Sequence, residues 1–382
     1  MKVTVSVSGR FHAFYLAEQL FKRDSLSRLI TSYPKFEVVK YGIPAHFIES
    51  LVFHEAGARI WSKLPLKDHI NAQFWFHQQF DKAASRRVPE ESDIYVGWSS
   101  FSEQGIIRAK RNGTVTIVER GSAHIEYQRD ILKEESDRYG GQPQLPHPQI
   151  VEKELREYEQ ADYIGIPSEF VKRTFIDKGF SERKLIKVPY GVDLSQFHEM
   201  RRHDNTFRVI CAGALSLRKG IHYLLQAFAE LRLPEAELWL VGSCLPETEP
   251  FLKRYSHNIR LIPHVPQAEL ASIYSQCSVF CICSIEEGMA MVQPQAMACG
   301  LPLICSKNTG GEDLIVDGME GFVVPIRDVE MLKEKILYLY RHPVECREMG
   351  QRAKAKVQQG FTWDDYGATI VEQYKRVLEY KP

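Results

Sequence analysis

The sequence predicts an α/β chain of two doubly wound, Rossmann-like domains. Three observations carry this expectation. Short apolar runs, mostly unbroken rather than alternating, are separated by segments of helical spacing. That is the signature of parallel strands buried on both faces. The runs fall into two sets of about six, one in each half of the chain, as two open α/β sheets require. A length of 382 residues also suits two domains at ~100–200 residues apiece.

Strands are expected in the first half at 2–7 (KVTVSV), 28–33, 93–98 (DIYVGW), 115–119 (VTIVE), 163–167 (YIGIP) and 185–189. In the second half they are expected at 207–212 (FRVICA), 237–241 (ELWLV), 259–262, 278–283 (SVFCIC), 303–305 and 322–324 (FVV). Segments 221–232 and 329–340 carry helical periodicity. The polar stretch 190–207 separates the two sets. It divides the chain into a first domain (1–190), a linker (191–206), a second domain (207–361) and a terminal segment (362–382). Thr362 reads as the N-cap of a last helix. The stretch 134–149 (EESDRYGGQPQLPHPQ) is punctuated by Gly and Pro and reads as one long loop.

Composition excludes several classes. Lys+Arg and Asp+Glu both number 49, which argues against a nucleic-acid partner. No uncharged apolar run reaches the ~20 residues of a membrane span, and MKVTVSV reads as a strand rather than a secretory leader. All 8 cysteines lie at or beyond Cys211, mostly inside apolar runs such as 277–283. They read as reduced, buried small hydrophobes, and the expected compartment is the cytoplasm. A Cys281/Cys283 metal pair is the weaker reading, because no further Cys or His cluster accompanies it.

Residues 1–87 hold 13 Lys/Arg and 7 Asp/Glu, a net of 13 − 7 = +6. Two readings stand: a solvated surface, or a face that rests on anionic lipid or receives an anionic acceptor. The aromatic stretch 71–80 within it suits either a core helix or an interfacial one.

Ligands of open parallel sheets bind beyond the C-terminal strand ends, so the strand-to-helix junctions hold the candidate chemistry. In 208–220 (RVICAGALSLRKG), Gly213 lets backbone approach a ligand. Arg218 and Lys219 stand before a helix whose free amides favour a diphosphate; they read either as a diphosphate site or as two solvated surface cations at a turn. In 284–300 (SIEEGMAMVQPQAMACG), the acids Glu286 and Glu287 follow a buried strand. Burial would not repay their desolvation, so they are expected in a loop that accepts bonds from sugar hydroxyls. At 7–12 (VSGRFH), Gly9, Arg10 and His12 form a weaker polar turn. At 118–124 (VERGSAH), Ser122 and His124 gather past a strand end; His124 reads either as a ligand contact or as a satisfied structural histidine.

The run EEGMAMVQPQAMACGLPLICS resembles the glutamate-x7-glutamate region of retaining family-four glycosyltransferases of the GT-B fold, the group 1 type. AGALSLRKGIHYLLQAF is similar to that family's phosphate loop, and NTGGEDLIVDGMEGFVVP and IPHVPQAELASIYSQCSVF to its flanking blocks. ADYIGIPSEFVKRTF and KVPYGVDLSQF resemble the end of its first domain and its linker. The likeness covers most of 150–345 closely and 1–150 loosely.

The resemblance implies two Rossmann-like domains facing each other across a cleft, with a terminal helix crossing back to the first. It implies that the second domain binds a UDP- or GDP-sugar and the first a saccharide or lipid-linked acceptor. Lys219, with an Arg, would hold the diphosphate, and Glu287 the donor sugar. Gly288, Met289, Ala290 and Met291 would line sugar and phosphate, Val265 would face the base, and His124 would lie near the donor sugar. Gln295 stands where the family has its second glutamate, and Ala214 where it commonly has Arg. Without that charge, a non-catalytic nucleotide-sugar-binding partner, or an epimerase on the same fold, is the alternative to a transferase. The chain contains no Asp-x-Asp pair, so no metal or other cofactor is expected. The protein is expected free in the cytoplasm or peripheral on the inner membrane face.

Overall fold

The computed structural model of the chain describes residues 1–53, 57, 61, 72–140 and 145–379. Thirteen strands make two all-parallel sheets among the described residues. The first contains β1 (Val3–Val7), β2 (Leu26–Thr31), β3 (Ile48–Ser50), β4 (Ile94–Trp98), β5 (Val115–Glu119), β6 (Tyr163–Ile166) and β7 (Leu185–Lys187). The second contains β8 (Phe207–Ala212), β9 (Ala236–Val241), β10 (Ile259–Ile262), β11 (Val279–Ile282), β12 (Leu303–Ser306) and β13 (Gly321–Val324). The strand orders are β3-β2-β1-β4-β5-β6-β7 and β10-β9-β8-β11-β12-β13.

Both sheets are doubly wound. Chain direction across the sheet reverses between β1 and β4 in the first and between β8 and β11 in the second. These are the switch points where an open α/β sheet leaves a crevice. The central strands are apolar and fully buried: Val3, Val5 and Val7 in β1, and Val279, Phe280 and Cys281 in β11, show no accessible surface.

The principal helices, numbered in chain order, are α1 (Ala13–Lys22), α2 (Gln73–Ser85), α3 (Glu103–Arg111), α4 (Ile125–Tyr139), α5 (Pro148–Gln160), α6 (Glu169–Ile176), α7 (Ile221–Leu231), α8 (Glu249–Arg254), α9 (Gln267–Tyr274), α10 (Val292–Ala298), α11 (Val329–Arg341), α12 (Pro343–Gln358) and α13 (Trp363–Glu379). α13 opens with a reciprocal cap: Asp365 N–H donates to Thr362 Oγ1 at 3.1 Å, and Thr362 N–H and Oγ1 both donate to the Asp365 carboxylate. The helix then crosses back to the first domain. Trp363 stacks on Tyr15 of α1, with centroids 4.1 Å apart and planes 5° apart, and Arg23 donates to the Asp364 carbonyl at 2.8 Å.

Two expectations need correction. The stretch 134–149 is not one loop: α4 runs to Tyr139 and α5 begins at Pro148, while 141–144 lie outside the described residues. Strand β3 was not expected from the sequence. Seven of the eight cysteines are buried and all eight are free thiols, but Cys244 is exposed. Residue 71 of the aromatic stretch lies outside the described residues. The remainder forms the start of α2, which buries Phe80 and leaves Trp75 56% exposed. Among the described residues, no helix is long and apolar enough to cross a membrane.

Candidate functional site

The C-terminal strand ends of the two sheets face each other. The loop after β5 meets the loop after β11 so closely that a Cβ on Gly288 would lie 1.9 Å from the Gly121 carbonyl oxygen. Ser168, at the N-terminus of α6, donates from Oγ to the Gly288 carbonyl at 2.6 Å. Beside this contact lies a cavity of 440 Å³, lined by Gln128 and Glu135 of the first domain and by Ala214, Arg218, Lys219 and Glu247 of the second.

The second domain supplies the charge. Gly213 ends β8 at φ +134°, with nothing within 4 Å of the position a Cβ would take; only Gly holds this backbone without strain and leaves that side open. Five residues on, Arg218 and Lys219 precede α7. The Lys219 ammonium donates to Glu287 Oε2, and the two side chains are 21% and 18% exposed. Burial and the neighbouring Arg218 cation push the Lys219 pKa down; direct contact with Glu287 works the other way.

Glu286 is fully buried, which corrects the expectation that neither acid could be. Its desolvation is offset by three donors. Arg218 Nη2 lies 2.9 Å from Oε2, Ala123 N–H donates to Oε1 at 2.9 Å, and Gln128 Nε2 donates to Oε2 at 2.9 Å. Burial works against the carboxylate, but Arg218, Ala123 and Gln128 outweigh it and hold the pKa below the ordinary value.

The other candidates are distributed unevenly. Ser122 Oγ accepts from Arg218 Nη2 at 3.3 Å. Met289 and Ala290 are buried behind Gly288, and Met289 Sδ accepts from Tyr190 N–H at 3.2 Å. Met291 is half-buried at the start of α10. Gln295 is half-buried on that helix, and its Oε1 is a buried acceptor with no hydrogen-bond partner among the described residues. Val265 is half-buried on the loop after β10.

In the first domain, Gly9 N–H donates to Ser32 Oγ at 3.0 Å. Arg10 is exposed, 3.5 Å from the Tyr41 hydroxyl. His12 is turned inward: its ring lies 4.9 Å from Trp98 and 4.3 Å from Tyr190, with Nε2 3.3 Å from Glu119 Oε2.

His124 is also turned inward, to the structural side of the two readings left open for it. Its Nδ1 accepts from Glu126 N–H at 3.3 Å, capping α4. Its ring packs among Tyr158, Phe175 and Phe180, 5.0–5.6 Å away. Burial, with help from Arg120, pushes its pKa down to about 4, so it is neutral at ordinary pH.

Sequence reading named Ser122 but missed the share that α4 of the first domain takes in the site. Glu135 of α4 accepts from Tyr223 Oη at 2.8 Å and Arg327 Nε at 2.7 Å, and lies 2.8 Å from His222 Nε2. Gln128 joins Glu286 to Arg120, whose Nη2 donates to Gln128 Oε1 at 2.9 Å. The partners of Glu135 lie 87 to 192 residues from it and Glu286 lies 158 from Gln128, and no local pattern announces them.

Two doubly wound domains that meet through the segments after β5, β8 and β11 make the GT-B architecture. Residues 195–356 match the family model described as Glycosyl transferases group 1. Among curated proteins, the chain is 28% identical over 208 residues to "MMP alpha-(1->4)-mannosyltransferase" of Mycolicibacterium hassiacum, covering 53% of this chain and 51% of that one. It is 27% identical over 237 residues to "GDP-mannose-dependent alpha-(1-6)-phosphatidylinositol monomannoside mannosyltransferase" of Mycolicibacterium smegmatis, covering 56% and 62%. The matched segments thus span about half to three-fifths of those relatives.

Among solved structures, sucrose-phosphate synthase of Thermosynechococcus elongatus superposes with TM-score 0.74 at 17% identity over 100% of both chains. The Anabaena protein HepE in complex with UDP and glucose does so with TM-score 0.68 at 15% identity, over 98% of this chain and 100% of that one. At these identities the likeness is one of fold.

Proposed function

We propose that the protein is a retaining glycosyltransferase that moves a sugar from a UDP- or GDP-sugar to a hydroxyl of a saccharide or lipid-linked acceptor, without a metal ion. The observation that carries this is the Lys219–Glu287 pair beside the open face of Gly213. A diphosphate entering there meets the ammonium and the free amides of α7. The Glu287 carboxylate, released from Lys219, is then free to accept from sugar hydroxyls. The unpaired Gln295 Oε1 is an acceptor suited to a ribose hydroxyl.

Cleavage of the anomeric carbon–oxygen bond leaves an oxocarbenium-like sugar and a diphosphate. Lys219 and the helix amides stabilise that charge as it develops. The acceptor hydroxyl gives its proton to the departing diphosphate and attacks from the face that the diphosphate leaves, which keeps the anomeric configuration. The relatives named for mannosyl transfer, one of them GDP-mannose-dependent, support the class of donor. The first domain exposes Phe36, Phe53 and Trp75 within the basic stretch 1–87. These suit peripheral contact with a membrane that bears a lipid-linked acceptor, and cytoplasmic placement follows from that reading.

The test is a thermal-shift screen of UDP- and GDP-sugars, followed by nucleotide release with acceptors in excess EDTA. One donor is expected to raise Tm by mass action and to turn over in EDTA. Binding without turnover across a broad acceptor panel favours the non-catalytic alternative that Ala214 and Gln295 motivate. Conversion of donor without acceptor or hydrolysis favours an epimerase. Loss of turnover that Mg2+ restores refutes metal independence.

A further inference from the structure

The adjacent cations Arg218 and Lys219 and the adjacent acids Glu286 and Glu287 pair in register, yet the two pairs differ in kind. Lys219–Glu287 is partly exposed and lies wholly within the second domain. Glu286 has no accessible surface and bonds to both domains at once. Arg218 does the same: Nε donates to the Glu286 carbonyl at 3.1 Å, and Nη2 lies within reach of Glu286 Oε2 and Ser122 Oγ. From Glu286 the network continues through Gln128 to Arg120. There Nε donates to the Ala123 carbonyl at 2.9 Å and Nη1 pairs with Glu154 at 3.0 Å.

We propose that Arg218 and Glu286 are an interdomain clamp, a positioning pair that holds the cleft shut and aligns Lys219 and Glu287, rather than a second grip on the diphosphate. The inference rests on the donor reading above for what Lys219 and Glu287 do. Its physical basis is the burial of Glu286, whose partner Arg218 is itself 36% exposed. A diphosphate that recruited Arg218 would leave Glu286 buried without its cation, which is strongly unfavourable. Recruiting Lys219 leaves Glu287 partly exposed, where water or a sugar hydroxyl replaces the ammonium. The clamp sits where the backbones already touch, Gly288 against Gly121. Opening the domains breaks the Ala123, Gln128 and Ser122 bonds together. Each clamp residue is covalently next to its donor-site neighbour, so closure and donor-site geometry change as one.

The experiment compares the full chain with Glu286→Gln, Gln128→Ala, Arg218→Ala and Lys219→Ala. It measures UDP and GDP affinity by calorimetry, radius of gyration by small-angle scattering, and KM and kcat for donor consumption. Gln128→Ala removes a first-domain bond to Glu286, together with the Arg120 bond to Gln128, and remains informative should Glu286→Gln fold poorly.

The clamp predicts a larger radius of gyration for Glu286→Gln, Gln128→Ala and Arg218→Ala. It predicts nucleotide Kd within about threefold of wild type for these variants, about 0.65 kcal/mol, with kcat lowered at least about tenfold and donor KM little changed. Lys219→Ala instead raises Kd and leaves the scattering unchanged. The Arg218→Ala/Glu286→Gln double variant is no worse than the worse single one, as expected for residues acting as a unit. Nucleotide affinity lost as fully in Arg218→Ala as in Lys219→Ala, with unchanged scattering in Glu286→Gln and Gln128→Ala, overturns the clamp. Should wild type bind neither UDP nor GDP, the donor reading falls, and the scattering alone still decides the clamp.

Discussion

Replacing Glu287 with Gln should move nucleotide binding and sugar transfer in opposite directions. In the free protein the Glu287 carboxylate occupies the Lys219 ammonium, and a diphosphate has to displace it. The two side chains are 21% and 18% exposed, so screening by solvent keeps the pair near the upper end of the surface range, about 1 kcal/mol. Glu287→Gln removes the charge at nearly constant shape. UDP or GDP alone, which carry no sugar for Glu287 to hold, should then bind roughly fivefold tighter, the equivalent of that 1 kcal/mol. Turnover of the sugar nucleotide should fall, by roughly tenfold or more if a charge-assisted bond to a sugar hydroxyl of about 1.5–3 kcal/mol is lost. Lys219→Ala should weaken both, because the counter-charge itself is gone. Calorimetry with UDP and GDP at low and high salt reads the first effect, and the gain should shrink as salt screens the competition. If Glu287→Gln weakens free nucleotide as much as Lys219→Ala does, the carboxylate is not competing for the ammonium and the division of roles is wrong.

Three further outcomes follow from the geometry. Gly288→Ala places a methyl 1.9 Å from the Gly121 carbonyl, so it should enlarge the particle in scattering and depress turnover; an unchanged radius of gyration and rate would show that the backbone contact is dispensable. Trp363→Ala deletes the buried stack on Tyr15 and should cost about 3–5 kcal/mol of stability, read as a shift in denaturant midpoint; a change below about 1 kcal/mol would mean that α13 is not anchored there. Glu135 is held below its ordinary 4.5: burial opposes this, but the bonds from His222, Tyr223 and Arg327 prevail. A depressed carboxylate contributes stability above its unfolded pKa and loses it as pH falls through the folded one. Interdomain contact should therefore weaken as pH drops below about 4.5, and Glu135→Gln should flatten that acid limb in a scattering titration.

Much of the fold was legible because parallel, doubly covered strands advertise themselves as unbroken apolar runs, such as LWLV at 238–241 and VFCIC at 279–283. Strand β3 escaped because an edge strand of three residues, Ile48–Ser50 with Glu49 at its centre, carries no such run. The end of α4 escaped because Glu134, Asp137 and Arg138 look like loop residues, while the informative ones, Glu135 and Ser136, are buried against the cleft. The turn that carries Gly213 and Lys219 was legible, since a strand end, an open glycine and a cation before a helix are local features; that it holds a diphosphate belongs to the proposal. Glu286 was misread because its desolvation is offset by Ala123 and Gln128, 163 and 158 residues away. Desolvation can be estimated from a residue type, but its compensation depends on tertiary partners.

The divergent fates of neighbouring residues are set by the two loops. Glu286 lies in the bend after β11, and Arg218 and Lys219 in the turn before α7; in each loop the two adjacent side chains part. One acid meets the first domain through Ala123 and Gln128, and the other meets Lys219. The Arg218–Lys219 step divides in the same way, one cation reaching Ser122 and the other Glu287. A two-cation, two-acid motif thereby builds two ion pairs from one pair of loops. Glu286 resists exchange because without Arg218 it would be a buried carboxylate short of its cation. The Lys219–Glu287 pair, with both partners partly exposed, exchanges more readily, as the donor reading proposed above requires. The register of these residues, more than their number, thereby decides which acid is buried against the first domain and which stands beside Lys219.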